Sequence, residues 1–432
     1  MRRRSVGIVA VAIWVLAALF SGPVPSTAQT RITVMHAMPA GPPAEIFEQL
    51  AREFDEANPD ITVEVIWGGS YGETLQKAQV AWASGLAPNI IHIEQMQSFA
   101  FMLRGNFVPL DPFIENDPTI SLDDFYPPML QTVTHAGVTY GIPYNTSTPL
   151  VYLNRDVFLK AGVAPAAPAT WEEFRDVAQR LTRDTSGDGR PDVWGTDQTR
   201  AWDWLFDAWI GQNGARIANA DGTRYTFNSP EAVEAMEFYQ SLMHEYRVIH
   251  YPGLSVSRFN NGEAGMIMRS TANLANRLEE AKAAGADVTV GMLPCHKECF
   301  VPIGGGNLFM FNTGTDAQKE AAWKFLSYVA SPENLARFSS GSGYMSARRS
   351  SVATDIMQGQ FAAQPEFMVT YEQLRNAHAR PLLPDWPLVN DRIANDLARV
   401  MFVENGNVRD ILNEIVAYGN AILDEWYARE RR

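Results

Sequence analysis

Between Arg31 and Ile93 the chain alternates short apolar stretches with amphipathic ones, at a spacing that fits a parallel α/β sheet. Arg31-Ile-Thr-Val-Met35 reads as a strand. Glu45 to Glu56 reads as a helix with Ile46, Phe47, Leu50, Ala51 and Phe54 on one face, and Asn58-Pro59 stops it. Ile61 to Ile66 is the next strand, Tyr71 to Ser84 the next helix, and Asn89 to Ile93 the third strand. Open sheets of this kind bind ligands beyond the carboxyl ends of their strands. The loops holding Gly68-Gly69-Ser70-Tyr71 and Glu94-Gln95 are therefore the first places to look for a site.

The remaining chain is too long to share that one core. At 432 residues it suits two lobes of about 150–200 residues each. From Thr139 it reads Tyr-Gly-Ile-Pro-Tyr-Asn-Thr-Ser-Thr-Pro149 and then Leu150 to Asn154, a strand-rich crossing out of the first lobe. Helices are predicted at 171–183, 230–246 and 274–284. The glycine-rich stretch Val288 to Phe311 suits a return crossing, and helices follow at 319–330 and 332–338. The expectation is a first lobe of residues 29–144 plus about 290–340, and a second of 145–289 plus about 341–432.

The first 28 residues read as an export signal. Arg2, Arg3 and Arg4 precede an apolar run from Val6 to Phe20, and small residues follow at Ser26-Thr27-Ala28. That run is shorter than the roughly 20 residues a spanning helix needs, so a free periplasmic protein is expected. Cleavage would remove three of the 35 basic residues and leave 32 against 49 acidic ones. So acidic a surface argues against a nucleic-acid partner. The two cysteines, Cys295 and Cys299, are expected to pair outside the cytoplasm, closing a very short loop.

Enzyme signatures are wanting. There is no Gly-x-Ser-x-Gly elbow, no His-Glu-x-x-His and no phosphate loop. The seven histidines lack metal-ligand spacing, and no cofactor motif occurs. Carboxylate pairs for glycoside hydrolysis are a matter of space rather than sequence, which leaves a secreted hydrolase as a distant alternative. Asp184-Thr-Ser-Gly-Asp-Gly-Arg-Pro-Asp192 begins like a calcium loop, but its twelfth position is Gly195 where a bidentate Glu is usual. A structural ion and a plain acidic turn are both compatible with it. The aromatic run Trp202-Asp-Trp-Leu-Phe-Asp-Ala-Trp209 has core spacing at Leu205, Phe206 and Trp209. Trp202 or Trp204 at its start could instead stack on a sugar ring or a cationic head group.

Taken in order, many phrases resemble the family 1 extracellular solute-binding proteins of ABC importers, nearest to their glycerol 3-phosphate-binding members. They are His36-Ala-Met38, Gly69-Ser-Tyr71-Gly-Glu, Asn145-Thr-Ser-Thr-Pro-Leu-Val-Tyr-Leu-Asn-Arg155, Phe259-Asn-Asn-Gly-Glu263 and Ser270-Thr-Ala-Asn-Leu-Ala-Asn276. Gly291-Met-Leu-Pro294, Ile303-Gly-Gly305, Lys324-Phe-Leu326, Ser331-Pro-Glu-Asn334 and Gly343-Tyr344 continue the series. The resemblance implies two α/β lobes hinged on crossing strands, a small polar ligand and permease subunits as partners; no cofactor and no metal at the ligand site are expected, and a monomer is the default for a diffusing shuttle. It implies that Tyr71 and Glu94 line the first lobe's side of the cleft, with Ser147 on the crossover and Ser270 on the second lobe. Gly304 to Gly306, with Gly305 at the centre, would bring backbone N–H groups, Tyr344 its phenol, and Trp202 or Trp204 an aromatic wall.

One stretch departs from the pattern. The glycerol 3-phosphate binders carry an Arg shortly after a Pro-Leu-Pro-type turn near the C-terminus. This chain reads Arg380-Pro-Leu-Leu-Pro-Asp-Trp-Pro-Leu-Val-Asn390, which puts Asp385 near that place and Arg392 further on. Arg grips phosphate through its planar fork, whereas Asp would repel a dianion and suit hydroxyls. Glycerol 3-phosphate or a glycerophosphodiester, and a sugar or polyol, both stay open as ligands.

Overall fold

The structure is a computed structural model that describes residues 29–198, 202–272 and 274–430. The expected export signal lies outside them. In chain order the principal elements begin with β1 (Thr30–His36), α1 (Pro42–Ala57), β2 (Ile61–Trp67), α2 (Tyr71–Ala83) and β3 (Ile90–Glu94). The crossing strands β4 (Gly141–Ser147) and β5 (Pro149–Asn154) come next. Then follow α3 (Trp171–Leu181), α4 (Trp202–Gln212), α5 (Pro230–His244), β6 (Met266–Ser270), α6 (Leu274–Ala283) and β7 (Val288–Gly291). Strand β8 (Gly304–Met310) returns, and α7 (Asp316–Val329), α8 (Pro332–Ser342), α9 (Trp386–Arg392) and α10 (Val408–Glu430) complete the set.

The helices begin where the sequence gives their first N–H groups a partner. Ser70 and Glu73 form a capping box on α2, Thr315 and Gln318 do the same for α7, and Thr170 caps α3. Helix α1 buries Phe47, Leu50, Ala51 and Phe54, the face expected from their spacing, and Ile46 sits half-buried beside them.

The larger sheet has the order β2-β1-β3-β8-β4. Strands β1, β2 and β3 are parallel, while β8 runs antiparallel to both β3 and β4. The second sheet is β6-β5-β7, antiparallel throughout. Strand β4 therefore ends in one sheet at Ser147, and β5 starts the other at Pro149. A single residue, Thr148, joins the two.

Each sheet has its own core. Ile32, Val34, Phe47, Ile90, Leu308 and Phe325 belong to the first. Val151, Leu153, Trp171, Trp209, Tyr239 and Met266 belong to the second. The architecture is thus the two-lobed α/β fold that the sequence implied. The first core also takes in Tyr344, Met345 and Ala347, a few residues past the expected boundary at 340. Backbone pairing explains this, because Met345 bridges to Thr146 of β4.

Two smaller expectations also have an outcome. Cys295 and Cys299 are joined in a disulfide, and His296 between them stacks on Trp171 at 4.4 Å. In the 184–192 loop Asp184 accepts from the N–H groups of Gly187 and Gly189, and Asp192 from those of Thr185 and Ser186. Those carboxylates are turned to their own backbone, as in a plain acidic turn.

Candidate ligand-binding cleft

The carboxyl ends of β1, β2 and β3 open toward the second lobe, and most of the expected site residues gather there. Tyr71 is the first residue of α2 and Glu94 the last of β3. Strand β8 lies beside both β3 and β4, with Gly306 opposite Glu94, Gly305 opposite Thr146 and Gly304 opposite Ser147. Glycine is required here by space. A Cβ on Gly305, whose φ is +110°, would lie 2.0 Å from the Asn145 carbonyl oxygen. A Cβ on Gly304 would lie 2.8 Å from the Trp204 ring. The bare backbone therefore lets a second-lobe indole rest against the first-lobe sheet.

Asn145, on β4, ties the first-lobe wall together. Its Oδ1 accepts from the Gly306 N–H at 2.7 Å and lies 2.7 Å from His92 Nε2. Its Nδ2 donates to the Tyr71 hydroxyl at 3.0 Å, and the same side chain acts on the neighbouring Tyr344 phenol. Burial pushes the Tyr344 phenol up to about 12, against the pull of Asn145 and of the Arg277 charge. Burial, the nearby Tyr344 and the Glu94 charge hold Tyr71 well above its ordinary value, with Asn145 pulling the other way. Both phenols keep their protons at neutral pH.

Glu94 is half-buried, and its Oε2 accepts from the N–H groups of Met96 at 2.9 Å and Gln97 at 3.2 Å. Loss of hydration raises its carboxyl to about 7, against the opposing pull of the Arg380 charge and those two bonds.

The second lobe supplies the facing wall. Trp204, Ser270 and Arg277 line a cavity of about 390 Å³ together with Pro149 and Met268. The Ser270 hydroxyl, at the end of β6, accepts from the Ala272 N–H at 3.0 Å. The Arg277 guanidinium lies over the Tyr152 ring at 5.4 Å.

Three expectations need correction. Trp202 is only 1% exposed and packs on Tyr239 at 4.8 Å and Phe402 at 4.9 Å, so it belongs to the second core. One helical step of two residues turns Trp204, not Trp202, toward the cleft. Asp385 points its carboxylate at the Tyr225 hydroxyl, 3.0 Å away, and burial raises it to about 6. Arg392 bonds Asp396 at 2.8 Å and lies over the Tyr418 ring at 5.0 Å, which commits it to the packing of α9 against α10.

Arg380, His92 and Asn145 were not foreseen as site residues. Arg380 follows the short pairing of Val301–Pro302 with Ala377–His378, immediately before the glycines of β8. It is 7% exposed, with its guanidinium 4.8 Å over the Trp386 ring and its Nε donating to Asp207 at 3.2 Å. Its Nη2 is buried with no partner in the protein. Trp204 Nε1 and Arg277 Nη1 are in the same condition. The sequence did offer the signal, since Arg380 opens the Pro-Leu-Leu-Pro turn instead of following it.

Comparisons with known proteins place this geometry. Residues 49–369 match the family model of the bacterial extracellular solute-binding proteins. The sn-glycerol-3-phosphate-binding periplasmic protein of Salmonella paratyphi A is 27% identical over 418 residues, covering 92% of this chain and 93% of its own length. The namesake protein of Escherichia coli K12 is 28% identical over 373 residues, covering 83% and 82%. Among solved structures, UgpB of Mycobacterium tuberculosis in complex with glycerophosphocholine is similar, with TM-score 0.80, 23% identity and coverage of 92% and 100%. The sugar-binding protein MalE of Xanthomonas citri superposes as well, at TM-score 0.81 and 19% identity, covering 93% and 100%. The chain belongs to the bacterial extracellular solute-binding protein family.

Proposed function

We propose that the cleft captures sn-glycerol 3-phosphate or a glycerophosphodiester in the periplasm and presents it to the permease of an ABC importer. The observation that carries this reading is that Trp204 and Arg277, which line the cavity, and Arg380, whose charge acts on Glu94, each keep a buried donor without a partner. A buried donor left unpaired costs about 1–3 kcal/mol, so a ligand rich in acceptor oxygens has most to gain there. Two of the three are guanidinium N–H groups, whose charge and fork suit a phosphate. Asp385, which would have opposed an anion, accepts from the Tyr225 hydroxyl through one oxygen, and burial raises its carboxyl to about 6, which lessens its charge. The curated relatives named above as glycerol 3-phosphate binders point the same way.

In this reading Glu94 accepts from the ligand's hydroxyls, Tyr71 and Tyr344 donate, and Ser147 and Ser270 contribute from the crossing and from the second lobe. Trp204 walls the ligand, and the backbone at Gly305 lets it come close. A ligand bonded to both walls favours the closed arrangement of the lobes, the form that would dock on the permease. No bond in the ligand needs to break.

A sugar or polyol is the second reading. Glu94, an acceptor for hydroxyls, and the flat Trp204 ring that lines the cavity both favour it. A thermal-shift screen of residues 29–432 separates the two, because a ligand of the native state raises the melting temperature. Glycerol 3-phosphate and glycerophosphocholine are expected to raise it, with glycerol, maltose and trehalose doing little. A rise with the sugars alone would replace the phosphate reading with the sugar one.

A further inference from the structure

The polar contacts of Asn145 fix more than its own position. A side-chain amide has two N–H donors and one oxygen that can accept twice. Here two groups lie 2.7 Å from Oδ1. One is the Gly306 backbone N–H, which can only donate. The other is His92 Nε2. The opposite ring nitrogen of His92, Nδ1, accepts from the Ala37 N–H at 3.3 Å, so in the neutral ring the proton resides on Nε2. The ring is fully buried, which keeps it neutral. Both lone-pair positions of Oδ1 are then filled, so one Nδ2 proton goes to the Tyr71 hydroxyl at 3.0 Å and the other is left for the neighbouring Tyr344 phenol.

The consequence reaches the cleft. A phenol that accepts from Asn145 keeps its own O–H proton for another partner. Reversing the amide would set its NH₂ against two N–H donors and would draw both phenol protons onto Oδ1. We infer that His92 is a positioning residue which, through Asn145, turns Tyr71 and Tyr344 into a pair of hydrogen-bond donors toward the ligand. The ligand class this pair selects is one that presents acceptor oxygens there. That choice of class rests on the phosphate reading above, while the role of His92 does not.

The test is a double-mutant cycle read by titration calorimetry with sn-glycerol 3-phosphate. Y71F alone is expected to weaken binding about tenfold. H92F, which keeps a flat ring without either nitrogen, is expected to weaken it at least as much, since it disorients both phenols. The H92F/Y71F protein should bind within about twofold of H92F, because the phenol has already lost its orientation. H92Q, which restores an N–H toward Asn145, should stay within about threefold of the parent. Losses that multiply across the cycle, or an H92Q no better than H92F, would overturn the role.

If the unaltered protein binds maltose and not glycerol 3-phosphate, the phosphate reading fails, and the same cycle run with maltose decides the role of His92. A ligand-free readout guards against variants that fold poorly. In ¹⁵N-histidine-labelled parent protein at pH 7, the His92 ring should show the neutral Nε2–H form. An Nδ1–H form or an imidazolium would contradict the inference.

Discussion

Glu94 concentrates the electrostatics of the site in one side chain. Its folded carboxyl holds a proton up to about pH 7, whereas an unperturbed one releases it near 4.5. Between those values the folded chain binds more protons than the unfolded one, so this contribution to stability is complete below about 4.5 and is lost as pH rises through 7. The expected loss is up to about 3 kcal/mol. His36 and His92 act in the opposite sense, since burial holds them near 4 and 3 and their contribution is lost as pH falls below 6.5. Replacing Glu94 with Gln isolates its share. Urea unfolding at pH 5 and pH 8 should show E94Q losing less stability on going to pH 8 than the parent. Equal losses in both proteins would mean that Glu94 ionises normally in the fold.

Under the proposed function, helix α4 separates packing from recognition within three residues. Trp202 faces Tyr239 and Phe402, and Trp204 faces Gly304 across the cleft. W202A should therefore cost about 3–5 kcal/mol of stability, with ligand affinity held in whatever folds. W204A should cost less stability and weaken ligand binding at least tenfold. Paired denaturation and calorimetry on the two variants would check this, and a reversed pattern would refute the placement. Most elements of the fold were legible in the sequence. The α1 face of Phe47, Leu50 and Phe54 and the parallel β1-β2-β3 core are local patterns. Which of Trp202 and Trp204 turns outward was not legible, because that depends on how α4 lies against α5. Arg380 was overlooked for a similar reason. Its position follows from the pairing of Val301–Pro302 with Ala377–His378, a contact between segments some 75 residues apart. His92 and Asn145 read as ordinary strand residues until β3, β8 and β4 were seen side by side.

At the scale of the whole molecule, the two lobes meet across strands that change sheets within one residue, Thr148, between β4 and β5. Donors from both lobes converge on the same cleft, with Trp204 and Arg277 on one side and the Asn145 cluster on the other. A ligand that engages both sides draws the lobes together. Small-angle scattering should record a smaller radius of gyration when saturating glycerol 3-phosphate is added, and none when glycerol is added. An unchanged profile despite measured binding would place the ligand on one lobe alone. Among the described residues no helix is long and apolar enough to cross a membrane.

Arg380 is the residue on which an anion-binding cleft most depends. The most direct test of this dependence is titration calorimetry of glycerol 3-phosphate into the parent protein and into R380Q, with urea unfolding to confirm that the variant is folded despite the loss of its pairing with Asp207. Clear binding by the parent is expected, with a loss of at least about 100-fold in folded R380Q, in line with the removal of a charge-assisted contact. Binding of the phosphate by R380Q as tightly as by the parent would contradict it.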